Sequence, residues 1–233
     1  MTTPLLVFDL DGTLAETAPD LVATLNMILN REGLRPLPFE TARAMVGGGA
    51  RLMIERGLAH AGARLPDEEI DRLFEDFLSH YEAHMADATT LYPGVAAALD
   101  RFEAAGWRFA VCTNKIEQAS VMLLEALGVA NRFQAICGKD TFPVSKPDRR
   151  ALLMTIERAG GSHENTIMVG DSKIDIETAQ NAGVPVIAVD FGYTDQPVAT
   201  YGPNRVISHF DDLWDAVADL WKGPDSQRRR SAP

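Results

Sequence analysis

Cysteine is scarce in this sequence, with two in 233 residues, and no lysine occurs before Lys115. Two thiols cannot build a disulfide framework. Cys112 and Cys137 lie in separate apolar segments and are expected as buried, reduced thiols. No apolar run approaches the roughly 20 residues of a membrane span. The opening MTTPLLVFDL has no basic n-region, so no signal peptide is expected, and a cytoplasmic location follows. Positive charge is also short: 22 Lys and Arg face 33 Asp and Glu, a net charge of -11. That balance argues against nucleic acid or an anionic membrane as partner. The five histidines form no HExxH. His80 and His84 stand at i,i+4 with no third ligand nearby, and are expected on a solvated helix face.

What remains is enough to fold. The chain is 46% hydrophobic, with a mean hydropathy of -0.08, as expected of a soluble globular protein with one large core or a core plus a smaller domain. Leu5 to Asp9 reads as a fully buried strand. Thr17 reads as an N-cap with Pro19 in the first turn of a helix bearing Leu21, Val22, Leu25, Ile28 and Leu29 on one face. Helices are predicted around residues 40–46, 51–59 and from Pro66 on, and no strand pattern appears between Leu14 and Met85. From Tyr92 onward, strands predicted at 107–112, 135–137, 166–169, 184–189 and 205–208 alternate with helices, the last reaching Lys222. Such alternation predicts a doubly wound parallel sheet covered on both faces, interrupted after its first strand by an inserted all-helical block. The expected division is residues 1–14 and 86–222 as a discontinuous α/β core and 15–85 as a helical cap. The tail, 223–233, has nothing to bury and is expected to be disordered.

Polar residues fall at one kind of place. Asp9 and Asp11 follow the first strand, Thr113 and Asn114 the second, and Asp171 and Ser172 a later one. The C-terminal strand ends of an open parallel sheet share one edge, so these residues converge. Lys146 precedes a helix and can reach the same edge. Clustered carboxylates repel by roughly 4 kcal/mol per pair at 4 Å and an effective dielectric of 20. A hard divalent cation, Mg²⁺, offsets that repulsion and tolerates water and phosphate as further ligands. The set suits phosphate monoester hydrolysis: Asp9 as nucleophile, Asp11 as general acid and base, Lys146 and the cation neutralising the transferring group. Gly12 lets backbone N–H groups approach phosphate oxygens, and Thr113 can donate a hydrogen bond.

Asp9-Leu10-Asp11-Gly12-Thr13, Thr113-Asn114, Lys146-Pro147 and Gly170-Asp171-Ser172 through Asp175 resemble, in order and spacing, the four motifs of the haloacid dehalogenase superfamily. The resemblance covers nearly the whole chain and implies its Rossmann-like fold with a helical cap. It implies Mg²⁺ held by Asp9, the Asp11 backbone carbonyl and Asp171, and phosphate held by Thr113, Asn114 and Lys146. Asp175 is left open between positioning a metal-bound water and serving as a helix-start acid, with Ser172 beside it. A closer likeness, on DLDGTLAETAPDL, VGGGARLMIERG, LYPG and CTNK, is to the phosphoglycolate phosphatase subgroup. It implies that Gly47, Gly48, Gly49 and Arg51 face the leaving group, against an ordinary helix cap and a surface arginine. Lys115 is read either as near the phosphate or as a plain first-turn lysine. Ala15-Glu16-Thr17 departs from the Asp and Ser often found there. The partner expected is therefore a small phosphorylated metabolite, with phosphoglycolate first; oligomeric state is left open.

Asp11 argues against a dehalogenase, whose halide leaving group needs no proton. The absence of lysine from 14–85 argues against phosphonate cleavage through a Schiff base. A sugar phosphomutase on the same core remains an alternative. A phospho-acceptor signalling module is disfavoured by Asp11 and the helical insert, because its phosphorylated aspartate must last.

Overall fold

The computed structural model describes residues 3–194 and 196–221. β1 (Leu5–Phe8) is buried along its whole length. Its side chains alternate, Leu6 and Phe8 entering one apolar cluster and Leu5 and Val7 the other, so the strand can only be central. After it come β2 (Ala15–Glu16) and four helices, α1 (Ala18–Arg31), α2 (Phe39–Arg43), α3 (Ala50–His60) and α4 (Asp67–His84). β3 (Thr90–Leu91) and α5 (Val95–Ala104) lead back to β4 (Arg108–Cys112). Then follow α6 (Glu117–Ala126), β5 (Phe133–Cys137), α7 (Arg149–Arg158), β6 (Thr166–Gly170), α8 (Lys173–Ala182), β7 (Val186–Val189), β8 (Arg205–Ile207) and α9 (Leu213–Leu220).

Among the described residues the main sheet runs β5-β4-β1-β6-β7-β8, with every neighbouring pair parallel. This is the doubly wound sheet expected. The order reverses at β1: β4 and β5 extend one way, β6 to β8 the other. That reversal opens a crevice at the carboxyl ends of β1, β4 and β6. α1 to α4 pack mainly on one another, through buried Leu25, Ile28, Ile54, Leu73 and Phe77.

Three expectations need correction. A strand does occur before Met85: Ala15 and Glu16 pair antiparallel with Leu91 and Thr90. Two residues are too few to show a period of two. Thr17 stands at the N-cap position of α1 but does not cap it. Its backbone is helical (φ -97°, ψ -9°) where a capping side chain needs an extended one, and its Oγ1 is buried without a partner. The Tyr193 hydroxyl takes the Thr17 and Ala18 N–H groups instead, at 2.7 and 2.8 Å. The helix expected from Pro147 begins at Arg149, capped by Asp148, which accepts from the Arg150 N–H. Cys112 and Cys137 are buried free thiols in register on neighbouring strands. His80 and His84 stack at 4.4 Å, with His84 Nδ1 on Asp87. Lys222 and the tail lie outside the described residues. No helix among the described residues is long and apolar enough to cross a membrane.

Candidate active site

Asp9 continues β1 by one residue, its N–H donating to the Val169 carbonyl at 2.9 Å. That bond fixes the carboxylate at the sheet edge. Its Oδ1 accepts the Leu10 N–H at 2.7 Å and lies 3.0 Å from the Lys146 ammonium. The other side of that ammonium meets Asp175 Oδ1 at 2.5 Å. Asp175 Oδ2 accepts from the Ser172 N–H and hydroxyl, while the Ser172 hydroxyl accepts from the Asp175 N–H. This reciprocal box starts α8. Asp175 is thus a helix-start acid, and it also holds Lys146.

Asp171 follows β6. Its Oδ1 accepts the Thr13 hydroxyl at 3.0 Å and its Oδ2 the Tyr193 N–H at 2.6 Å. Two glycines make room for it. A Cβ on Gly12, whose φ is +83°, would stand 2.5 Å from Asp171 Oδ2, and one on Gly192 2.2 Å from Asp171 Cβ. No side chain fits at either place.

Carboxylate oxygens of Asp9, Asp171 and Asp175 lie within 4.8 Å of one another, all buried. Burial pushes Asp9 up to about 6; Lys146 opposes the rise, while Asp175 and Asp11 add to it. Burial, then Asp175 and Asp9, raise Asp171 well above the usual carboxylate range. Burial would depress Lys146, but Asp175 and Asp9 outweigh it and hold its pKa above the lysine range. Three crowded acids against one ammonium leave negative charge uncompensated. The donor set is all oxygen, which suits a hard divalent cation. Asp175 spends one oxygen on the Lys146 ammonium and the other on the Ser172 N–H and hydroxyl, while Asp171 accepts one neutral donor on each oxygen and Asp9 is engaged through Oδ1, which favours Asp9 and Asp171 as the ligands.

Above the carboxylates a cavity of about 50 Å³ is lined by Asp9, Asp11, Thr113, Asn114, Lys115 and Lys139 from the sheet side. Gly47, Gly49, Met53, Phe74 and Tyr81 face it from the helical block. Asn114 donates to the Lys146 carbonyl at 3.1 Å, and its Oδ1 is buried without a partner. Thr113 accepts the Lys115 N–H. Gly48 and Arg51 are not brought to the cavity. A Cβ on Gly48 would press on Leu52. Arg51 is drawn to carboxylates of its own block: Asp71, Glu55 at 3.2 Å and Asp67 at 3.7 Å.

Sequence reasoning missed the polar groups that hold the site together. Lys115 is not in the first turn of α6, which begins at Glu117; it lines the cavity beside Asp11, Thr113 and Asn114. Its buried ammonium lies 3.1 Å from Asp11 Oδ1 and donates to the Tyr81 hydroxyl at 2.9 Å. Asp11 therefore faces a cation. Tyr81 was legible only as a core position of α4, although a buried phenol needs a polar partner, and burial raises it to about 12. Tyr193, distant in sequence, donates to Glu16 Oε1 at 2.6 Å while capping α1. Lys139 carried no signal beyond its charge.

Comparison with known proteins agrees with this geometry. A family model described as haloacid dehalogenase-like hydrolase matches residues 6–189. A phosphoglycolate phosphatase of Mesorhizobium japonicum is 49% identical over 94% of the chain and 96% of its own length. One of Agrobacterium fabrum is 48% identical over 92% of each. A crystal structure from Haemophilus somnus, described as a predicted phosphoglycolate phosphatase, superposes with a TM-score of 0.86 at 28% identity, over 92% of this chain and 98% of that one.

Proposed function

The chain belongs to the haloacid dehalogenase-like hydrolases and is a phosphoric monoester hydrolase; we propose that it hydrolyses phosphoglycolate through an aspartyl-phosphate on Asp9, with Mg²⁺. The observation that carries this reading is the buried meeting of Asp9, Asp171 and Lys146 beneath a small cavity. Phosphoglycolate is the substrate named for relatives at 46 to 49% identity.

The chemistry follows from the hydrogen bonds. Asp9 Oδ1 is occupied by the Leu10 N–H and Lys146, leaving Oδ2 to attack phosphorus. The P–O bond to the alcohol breaks, and Asp11 supplies the proton that the departing oxygen takes up. Lys146, the Thr113 hydroxyl and the Asn114 side chain hold the phosphoryl oxygens. Water then attacks phosphorus and yields a proton to Asp11, and the electron pair of the P–O bond returns to Asp9. Asp9, the Asp11 main-chain carbonyl and Asp171 would hold the divalent cation. When bound, it neutralises charge on the transferring group. Asp175 and Ser172 position Lys146, and residues 15–85 act as a cap over the leaving group, with Gly47 and Gly49 in its lining.

The test is phosphate release from phosphoglycolate and from an aryl phosphate. Both activities should need Mg²⁺ and fall at least about a thousandfold in Asp9→Asn. Turnover surviving in that variant removes Asp9 from the nucleophile's role. Aryl phosphate cleavage without phosphoglycolate cleavage removes only the substrate.

A further inference from the structure

The lysines around the cavity differ in how they are neutralised. Lys146 is held by Asp9 and Asp175, and Lys115 by Asp11. Lys139 has no such partner: among the described residues no carboxylate lies within ion-pair distance of its ammonium. In a chain of net charge -11 an unpaired cation facing a half-enclosed cavity is unusual. Its main-chain N–H donates to the Lys115 carbonyl at 2.9 Å, which fixes the loop after β5 against the start of α6. The side chain then crosses to the helical block. Its Nζ stands 5.3 Å from the centre of the Phe74 ring and 3.8 Å from where a Cβ on Gly49 would be. A ring face orients an ammonium without neutralising it, so the charge stays available to a ligand.

We propose that Lys139 is a specificity-determining residue that receives the carboxylate of the leaving hydroxy acid. The proposal rests on the phosphatase reading above and deepens it by assigning the cation that reads the substrate's second anion. Asp9, Thr113, Asn114 and Lys146 mark the phosphoryl end. Lys115 is spent on Asp11 and Tyr81, and Arg51 on Asp71, Glu55 and Asp67. Met53, Phe74, Phe77, Leu78 and Ile116 offer an anion nothing. A carboxylate carried by the alcohol has one uncompensated cation to meet, and a substrate without a carboxylate leaves that cation unmet.

Two matched pairs of esters test it in the full chain with Mg²⁺: phosphoglycolate against ethyl phosphate, and phospholactate against isopropyl phosphate. Wild type should favour the carboxylate-bearing member of each pair in kcat/KM. Lys139→Gln should cut that preference about ten- to hundredfold, the worth of a hydrogen bond between charged groups, and chiefly through KM. Lys139→Arg should keep most of it. Lys139→Met, which keeps the stem on Phe74, should match the glutamine variant and covers any folding defect in it. A preference unchanged in both neutral variants, or absent from wild type, overturns the assignment and leaves the phosphatase chemistry standing. If phosphoglycolate is inert but the phospholactate pair shows a preference that depends on Lys139, the substrate falls and the residue's role holds.

Discussion

Burial in the folded protein pushes the Asp9 carboxyl from an ordinary 3.8 up to about 6. The folded protein thus binds this proton more tightly. The group's stabilising contribution is complete below about 3.8 and is lost as pH rises through about 6. In the presence of a chelator, melting temperature should therefore carry a component that falls between about pH 4 and 6 and levels off above it. Asp9→Asn should remove that component. A wild-type and variant difference that stays flat across the interval would contradict the crowding of the three acids. Lys115 belongs to the same scale. It clamps Asp11 from a buried position, so Lys115→Met should lower kcat for every ester alike, by about tenfold or more. That uniform loss separates it from Lys139, whose effect follows the carboxylate. Arg51, tied to acids of its own block and away from the cavity lining, should change kcat/KM by no more than about twofold when replaced by Ala.

At the scale of elements, β2 and β3 are short but densely bonded. The Tyr193 hydroxyl serves Thr17, Ala18 and Glu16, and Tyr92 donates to Glu16 from β3's side at 2.9 Å. Arg43 of α2 reaches the same carboxylate at 3.5 Å. Tyr193→Phe leaves two N–H groups and a carboxylate short of a partner. It should destabilise by about 1–3 kcal/mol, a drop of roughly 2–4 °C per kcal/mol in a chain of this size, read by thermal unfolding. Asp20 ties α1 to the segment before β3, accepting from the Ala88 and Thr89 N–H groups and the Thr89 hydroxyl. Asp20→Ala should cost at least as much. A melting point unmoved in both variants would show that these bonds are replaced by water. None of this was legible in the sequence. A two-residue strand has no period, and a tyrosine 176 residues from the helix it caps leaves no local trace.

For the whole molecule, sheet and site topology were legible for a physical reason. Buried parallel strands read as apolar runs, and polar residues just past them must share an edge, so Asp9, Thr113 and Asp171 could be brought together before any coordinates. What escaped reading was side-chain partnership across the gap between sheet and helical block, as with Lys115 and Tyr81 or Lys139 and Phe74. Those contacts depend on how the helices sit, which hydrophobic periodicity leaves free. Divalent cation should act on the molecule as a unit. At a hundred times its dissociation constant, Mg²⁺ should stabilise the fold by about 2.7 kcal/mol, a measurable rise in melting temperature. An unchanged melting curve at millimolar Mg²⁺ would remove the cation from the acids.

The paired crossing of Ala15–Glu16 with Thr90–Leu91 has one more consequence. The chain enters and leaves the helical block through a single doorway, two residues wide in each direction. What lies beyond can be lengthened, shortened or reshaped for another ester while the frame of the doorway, and the acids below it, keep their places.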